Sequence, residues 1–150
     1  MATPGEKSAK SLEKLKAIQD QNLVAIKASD LSRGHRERLV RNGFIREVIK
    51  GWYIVTQHDE QKGDSTSWYL SFWGFCSRYL EERYGNDYCI SAEQSLLLHA
   101  ENNAVPTQLI IRSTKGNNSL TSLLFGTSIF VMKSPLPNIA EIEKNRGLES

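Results

Sequence analysis

The sequence has 150 residues, of which 39% are hydrophobic and 24% are charged. This length and composition are typical of one globular domain or two small ones, and they exclude disordered and collagen-like chains. The formal net charge is only +2, which excludes a uniformly basic nucleic-acid-binding coat. The charge is unevenly distributed: residues 1–56 carry eleven Lys and Arg against six Asp and Glu, and residues 57–150 carry eight against eleven. This asymmetry indicates separate roles for two parts of the chain.

The cysteines and the apolar residues both favour a cytoplasmic protein. Cys76 and Cys89 are the only cysteines and lie among aromatic residues without a CxxC partner, which is typical of buried thiols in a reducing compartment. The sequence has no signal-peptide pattern and no run of about 18 consecutive apolar residues. We therefore expect cytoplasmic localisation and no membrane partner.

The first part of the chain opens with short predicted helices. The spacing of apolar residues predicts an amphipathic helix that Ser11 caps, after a frayed tail of residues 1–9. Residues 24–31 then predict a strand-like step and a brief second helix, with Ser29 or Asp30 as its cap.

A third helix and a hairpin follow. Ser32 and Gly43 mark the beginning and the end of a predicted helix of about ten residues. Residues 44–57 are rich in β-branched and aromatic side chains, and Lys50 and Gly51 in the middle predict the turn of a β-hairpin. Three helices followed by a hairpin predict a winged helix-turn-helix over residues 10–57. In such a domain the third helix fits the major groove of DNA and the hairpin lies on the adjacent backbone.

Positive charge is concentrated on the third predicted helix and on the hairpin. Residues 32–50 carry six Arg and Lys against two Glu. Arginine presents a planar fork that suits phosphates and guanine edges. The predicted DNA-binding residues are Arg33, His35, Arg36, Arg38, Arg41, Arg46 and Lys50. The core expected to orient the helix consists of Leu31, Leu39, Phe44, Ile49 and Tyr53.

The second part of the chain predicts an α+β domain over residues 64–134. The polar segment 58–64 is expected to be the linker before it. Residues 66–84 hold seven of the thirteen aromatic side chains at helical spacing, which predicts an aromatic-rich core helix of this domain. Short strands and a helix capped by Ser91 are predicted downstream. Residues 135–150 are expected to begin a further, truncated segment.

The sequence offers little to support an enzyme. The run Gly63-Asp64-Ser65 is similar to the opening of an esterase motif, with His99 as a conceivable base, but helix capping by Asp64 or Ser65 explains it better. The three histidines are too far apart for a metal pair, and no glycine-rich phosphate loop occurs. We therefore expect no catalytic residues, no metal and no cofactor.

Two stretches of the sequence resemble one known family. LSRGHRERLVRNGFIREVIKGWYIV, with Leu39, Gly43, Phe44, Gly51 and Tyr53 at the motif positions, and the later CISAEQSLLLHAENNAVPTQLIIRS are similar to the AbiEi-type family of type IV antitoxins and transcriptional regulators. This resemblance implies a bacterial DNA-binding regulator that represses its own operon through a winged helix and counteracts a toxin encoded beside it. The implied partners are operator DNA, a cognate toxin and a second copy of the chain on DNA.

Protein docking is the alternative function. Winged-helix domains also serve as docking modules, and the acidic, aromatic-rich second part would be the docking surface. Similar aromatic-rich regions precede the catalytic domain of longer Fic-type proteins, although no HPFxxGNGR-like motif occurs in this sequence. In this alternative the chain inhibits a toxin or a catalytic domain that follows it.

Overall fold

The computed structural model describes residues 3–21, 24–61, 63–101 and 104–135. It is a mixed α+β structure with four α-helices and two sheets among these residues. The chain divides into two compact units, residues 1–79 and residues 80–150. All but Pro135 of the predicted further segment, residues 135–150, lies outside the described residues.

The first helix, α1, spans Pro4–Asp20 and begins earlier than predicted. Thr3 is its N-cap and forms a capping box with Glu6, and Pro4 occupies the first helical position. The predicted frayed tail is therefore wrong for residues 4–9. Ser11 is not a cap; it lies inside the helix and is fully buried.

A small antiparallel sheet follows α1. Strand β1 spans Ala25–Lys27 and leads into a single 3₁₀ turn, Ala28–Asp30, which occupies the place of the predicted second helix. Asp30, and not Ser29, caps this turn by accepting from the backbone N–H of Lys27 at 2.9 Å. Helix α2 spans Arg33–Arg41, and strands β2 (Ile45–Ile49) and β3 (Trp52–Val55) form the predicted hairpin. The strand order is β1-β3-β2.

The core of the first unit differs from the predicted core at one strand. Leu31, Leu39 and Tyr53 are buried as predicted, and Phe44 packs at the edge of their cluster. Ile45 is also buried in this core, whereas Ile49 is only half-buried and its neighbour Val48 is buried instead. A shift of register between Glu47 and Ile49 breaks the two-residue alternation of β2, because a bulge changes which face the following side chains occupy.

Helix α3 spans Thr66–Tyr84 as predicted, but six of its seven aromatic residues, all except Tyr84, belong to the first unit. Trp68, Phe72 and Phe75 are buried, and the rings of Phe75 and Tyr79 meet Trp52 of β3 edge-on at 6.0 and 5.5 Å between centroids. The predicted boundary at residues 58–64 consequently lies inside the first unit.

An ion pair joins α3 to the 3₁₀ turn. Nη1 of Arg78 donates to the carboxylate of Asp30 at 2.6 Å and to the carbonyl oxygen of Ala25 at 2.6 Å. The two side chains of the pair are each 21% exposed. Burial alone would raise the pKa of Asp30, but the hydrogen bonds from Arg78 and from the Lys27 N–H outweigh burial, and the pKa lies below its ordinary value.

Replacing Asp30 with Asn is expected to lower the free energy of unfolding of the first unit by about 1–3 kcal/mol at pH 7. Because folding lowers this pKa, the stabilisation is present above the carboxyl pKa of the unfolded chain and is lost as the pH falls through the folded value. Urea denaturation of both proteins from pH 7 to pH 3 checks this. A difference in stability that does not shrink below about pH 4 would contradict the assignment.

The second unit contains a four-stranded mixed sheet of order β4-β5-β7-β6. The strands are β4 (Cys89–Ile90), β5 (Gln108–Ser113), β6 (Ser119–Ser122) and β7 (Ser128–Lys133), and helix α4 spans Ala92–His99. Ser91 caps α4 as predicted, its hydroxyl accepting from the backbone N–H of Gln94 at 3.3 Å. One face of the sheet is buried through Leu109, Ile111, Ile129 and Val131. None of the helices in the described part of the chain is both long and apolar enough to span a membrane.

Candidate nucleic-acid interface

Helix α2 carries five of the seven predicted DNA-binding residues. Ser32 caps the helix, its hydroxyl accepting from the backbone N–H of His35 at 3.4 Å, and Gly43 follows the helix with a φ of 78° that favours glycine. Leu39, which is 1% exposed, anchors the inner side of the helix in the core. Because one side of the helix is anchored in this way, the arginines are distributed over its flanks and its outer side.

Arg36 is turned toward the protein. Its Nη1 donates to the carbonyl oxygen of Ala28 at 2.8 Å and to that of Leu31 at 3.4 Å, and the side chain is half-buried. These carbonyl groups belong to the 3₁₀ turn and the residue after it. The guanidinium group therefore holds the beginning of α2 against the preceding segment.

Arg38 and His35 hold α2 against α1 through one buried hydroxyl group. Nη1 of Arg38 donates to Oγ of Ser11 at 2.8 Å and to the carbonyl oxygen of Lys7 at 3.2 Å. Nδ1 of His35 lies 2.7 Å from the same Oγ. Ser11 is 0% exposed, and its hydroxyl also lies 3.0 Å from the carbonyl oxygen of Lys7, to which it donates, so all its hydrogen-bond partners are within the protein.

Replacing Arg38 with Ala is expected to lower the free energy of unfolding by about 1–3 kcal/mol, because a buried hydroxyl loses a charged donor. Urea denaturation followed by tryptophan fluorescence measures the change. Arg33→Ala is the matched control, since it removes the same side chain from an exposed position and should change stability by less than about 1 kcal/mol. Equal losses in the two variants would contradict the structural role of Arg38.

The outer side of α2 is an open surface, which we call the exposed face of α2. Nε of Arg33 donates to Oε1 of Glu37 at 2.9 Å, and the two side chains are 84% and 54% exposed. Arg41 is exposed one helical turn beyond Glu37, and Val40 is 41% exposed. The exposed face of α2 consists of Arg33, Gly34, Glu37, Val40 and Arg41.

The hairpin supplies the other two predicted residues. Lys50 is exposed at the turn, and the turn is anchored because the backbone N–H of Ala28 donates to the carbonyl oxygen of Gly51 at 2.8 Å. Arg46 lies in β2, is half-buried and has an interaction partner within the chain. Of the two, Lys50 is the more accessible to a ligand.

A cleft of about 340 Å³ lies between α2 and the hairpin. Burial raises the pKa of the Tyr53 hydroxyl in this cleft, and the charge of Glu47 raises it further, whereas Arg36 lowers it. The cleft is lined by Arg36, Glu37, Val40, Arg41, Glu47 and Tyr53. Two guanidinium groups face two carboxylates there, so the cleft has no charge excess to select a small anion.

The structure thus separates the predicted residues into two sets. Arg33 and Arg41 share the exposed face of α2, and Lys50 is exposed on the hairpin, whereas the side chains of His35, Arg36 and Arg38 contact α1 or the 3₁₀ turn. Gly34 and Val40 lie on the same face as Arg33 but were not predicted to matter. The sequence contains a signal for each of them. Helical spacing places Gly34 on this face, and Val40 is an apolar residue among the charged residues of the helix.

Little in the described residues suggests reaction chemistry. The carboxylate of Asp64 accepts from the backbone N–H and the hydroxyl of Thr66 at 2.9 and 2.6 Å, which agrees with the predicted capping role. No group of three or more His, Cys, Asp or Glu within the described residues could hold a metal ion. Burial raises the pKa values of the free thiols of Cys76 and Cys89, which disfavours the nucleophilic thiolate form. The His99 side chain lies outside what is described.

Comparison of the sequence with protein-family models and with curated proteins, and of the fold with solved structures, gives no match.

Proposed function

We propose that the first unit binds double-stranded DNA as a winged helix-turn-helix, with the exposed face of α2 toward the duplex. The elements follow one another in the order α1, β1, 3₁₀ turn, α2, β2, β3. This order supports the proposal, because in a winged helix-turn-helix three helices are followed by a hairpin. The strand order β1-β3-β2 pairs the hairpin with the strand that follows α1. The second helix of the motif is reduced here to three residues.

The observation that carries the proposal is the unequal use of the arginines of α2. Arg36 and Arg38 are half-buried and donate to carbonyl and hydroxyl oxygens within the protein, which fixes the helix in place. Arg33 and Arg41 are exposed on the outer side of the same helix. A rigidly held helix that presents guanidinium groups to solvent suits the major groove and its flanking phosphates.

The proposed contacts are fewer than the sequence predicted. In this proposal Arg33 and Arg41 contact the duplex from α2, and Lys50 and Arg46 contact the flanking DNA backbone from the hairpin. His35, Arg36 and Arg38 position α2. Such a module serves a transcriptional regulator, and the role of an AbiEi-like antitoxin that represses its own operon remains part of this proposal.

Titration of a short fluorescent duplex tests the proposal. Phosphate contacts release counterions, so three or so contacts predict that affinity falls roughly 10- to 100-fold between about 50 mM and about 200 mM salt. Fluorescence anisotropy at several salt concentrations gives the slope of log affinity against log salt. No binding at the lowest salt, or binding with a zero slope, would refute the proposal.

Protein docking through the second unit is a second candidate function. Ile110 is in register with Phe130, and Phe130 is in register with Leu120, so these three apolar side chains form one row across β5, β7 and β6. Ile110 and Leu120 are 36% and 55% exposed. An apolar row on an open sheet face suits a protein partner, here the toxin expected beside a regulator of this kind.

Co-expression with the product of the adjacent gene tests the docking function. Leu120→Asp is expected to abolish a complex that the unaltered chain forms, because the row would then bury a charge, and to leave duplex affinity unchanged. A complex that survives Leu120→Asp, or the absence of any complex, would contradict docking through this face.

A further inference from the structure

Gly34 has no structural reason to be a glycine. It occupies the second position of α2, is exposed, and does not adopt a positive φ. A Cβ atom built there meets nothing within 4 Å. Glycine inside a helix is unfavourable relative to alanine because it loses more backbone freedom on folding. Neither the backbone conformation nor the packing within the described residues therefore requires a glycine at this position.

Arg33, the neighbour of Gly34, is held in a defined orientation. Glu37 accepts from Nε of Arg33, which fixes the guanidinium plane along the helix. Hydrogen bonding from Arg33 keeps the pKa of Glu37 below its ordinary value, so the carboxylate is charged at neutral pH. Within the described residues, no hydrogen bond engages Nη1 or Nη2 of Arg33. Two coplanar donors at the end of an oriented side chain match O6 and N7 of guanine.

The other exposed arginine of α2 differs in this respect. Arg41 lies within the electrostatic influence of Glu37 but forms no side-chain hydrogen bond or ion pair within the described residues, so its guanidinium plane is less constrained than that of Arg33. A flexible cation of this kind suits a phosphate, which accepts from many directions, better than a base edge. The two arginines of the exposed face are thus suited to different parts of a duplex.

We infer that Arg33, oriented by Glu37, recognises a guanine in the major groove, and that Gly34 is the point where the helix backbone comes closest to the duplex. This inference rests on the proposed DNA-binding function. Arg33 is the specificity-determining residue, and Glu37 is a positioning residue that acts through it. Arg41 contributes affinity without sequence preference.

Selection from a pool of randomised duplexes supplies the probe for the test. The unaltered chain is expected to enrich a site that contains a fixed guanine. Replacing this guanine with 7-deazaguanine removes the N7 acceptor and is expected to weaken binding roughly tenfold. Arg33→Ala removes the donors that reach N7, so it should bind the two duplexes equally. Glu37→Gln should show an intermediate ratio, and Arg41→Ala, the matched control, should keep the full ratio.

Gly34→Ala tests the close approach separately. The variant is expected to unfold at a temperature roughly 2–8 °C higher, because alanine favours the helix. Its affinity for the selected duplex should nevertheless fall about tenfold, because the methyl group lies between the helix and the groove. Folding and binding then change in opposite directions, which a loss of structure cannot produce.

The outcomes distinguish a failure of the inference about Arg33 and Gly34 from a failure of the proposed DNA-binding function. Salt-dependent duplex binding without an enriched guanine, or an equal 7-deazaguanine effect in the unaltered chain and in Arg33→Ala, would overturn this inference and leave the proposed function intact. Unchanged affinity in a stabilised Gly34→Ala would overturn the close approach. Failure of the unaltered chain to bind any duplex in the pool at low salt would overturn both the inference and the proposed function.

Discussion

Replacing Arg33 and Arg41 together with Ala is expected to weaken binding to a short duplex by roughly 30- to 1,000-fold. A base-reading arginine contributes about 1–3 kcal/mol and a phosphate contact about 1 kcal/mol, and each 1.4 kcal/mol is a factor of ten. The slope of log affinity against log salt should also become shallower by about 1–2, because fewer counterions are released. Anisotropy titrations of the unaltered chain and of the variant measure both quantities.

The control for this double variant removes the same amount of charge from elsewhere. Lys115 and Lys133 are exposed residues of the second unit, so Lys115→Ala with Lys133→Ala changes the net charge by the same two units. Its affinity should fall by less than about threefold, since neither lysine belongs to the proposed interface and contacts to phosphates dominate affinity. Equal losses in the two double variants would show that net charge, and not the exposed face of α2, determines binding.

Replacing Phe75 with Ala is expected to destabilise the first unit by about 3–5 kcal/mol, a large part of the stability of a small domain. The ring is fully buried and lies 5.4 Å from Trp68, 6.0 Å from Trp52 and 5.8 Å from Tyr79, measured between centroids. Removing it leaves a cavity among three aromatic side chains that cannot close without moving α3 or β3.

Tryptophan fluorescence during urea denaturation measures this loss selectively. The three tryptophans of the chain, Trp52, Trp68 and Trp73, all lie within residues 1–79, so their emission reports on the first unit. Leu70→Ala is the control on the same helix, because Leu70 is 82% exposed and its loss should change stability by less than about 0.5 kcal/mol. An unchanged transition in Phe75→Ala would show that α3 is not part of the first unit.

Local features of the fold could be predicted because local signals determine them. Ser32 and Gly43 bounded α2 correctly, and Lys50 with Gly51 located the hairpin turn, since caps and turns depend on neighbouring residues. The start of α1 also has a local signal, because Thr3 and Glu6 have capping-box spacing. The prediction of a frayed tail did not take this spacing into account.

Long-range features could not be predicted in the same way. The aromatic spacing of α3 indicated a buried helix, but not which sheet it would pack against, and the contact of Phe75 with Trp52 spans 23 residues of sequence. The bulge in β2 buries Val48 in place of Ile49, because a single change of register reverses the alternation that the prediction assumed for the residues after it.

The candidate site also combines local features, which the sequence predicts, with long-range contacts, which it does not. Arg33, Glu37 and Arg41 are four residues apart, and this spacing in a helix is enough to put them on the one side of α2 where the structure has them. The inward contacts of Arg38 were not predictable, because its partner Ser11 is 27 residues away and was interpreted as a helix cap. Charge alone does not distinguish an arginine that supports the protein from one that faces a ligand.

Mapping the duplex onto the protein by NMR tests the central claim most directly. With the chain labelled with ¹⁵N and titrated with a short duplex, the amide signals of α2 and of the hairpin turn at Lys50 and Gly51 should shift together, with those of β5 and β7 unchanged. Shifts confined to the sheet of the second unit, or no shifts at low salt, would contradict a DNA interface on the exposed face of α2.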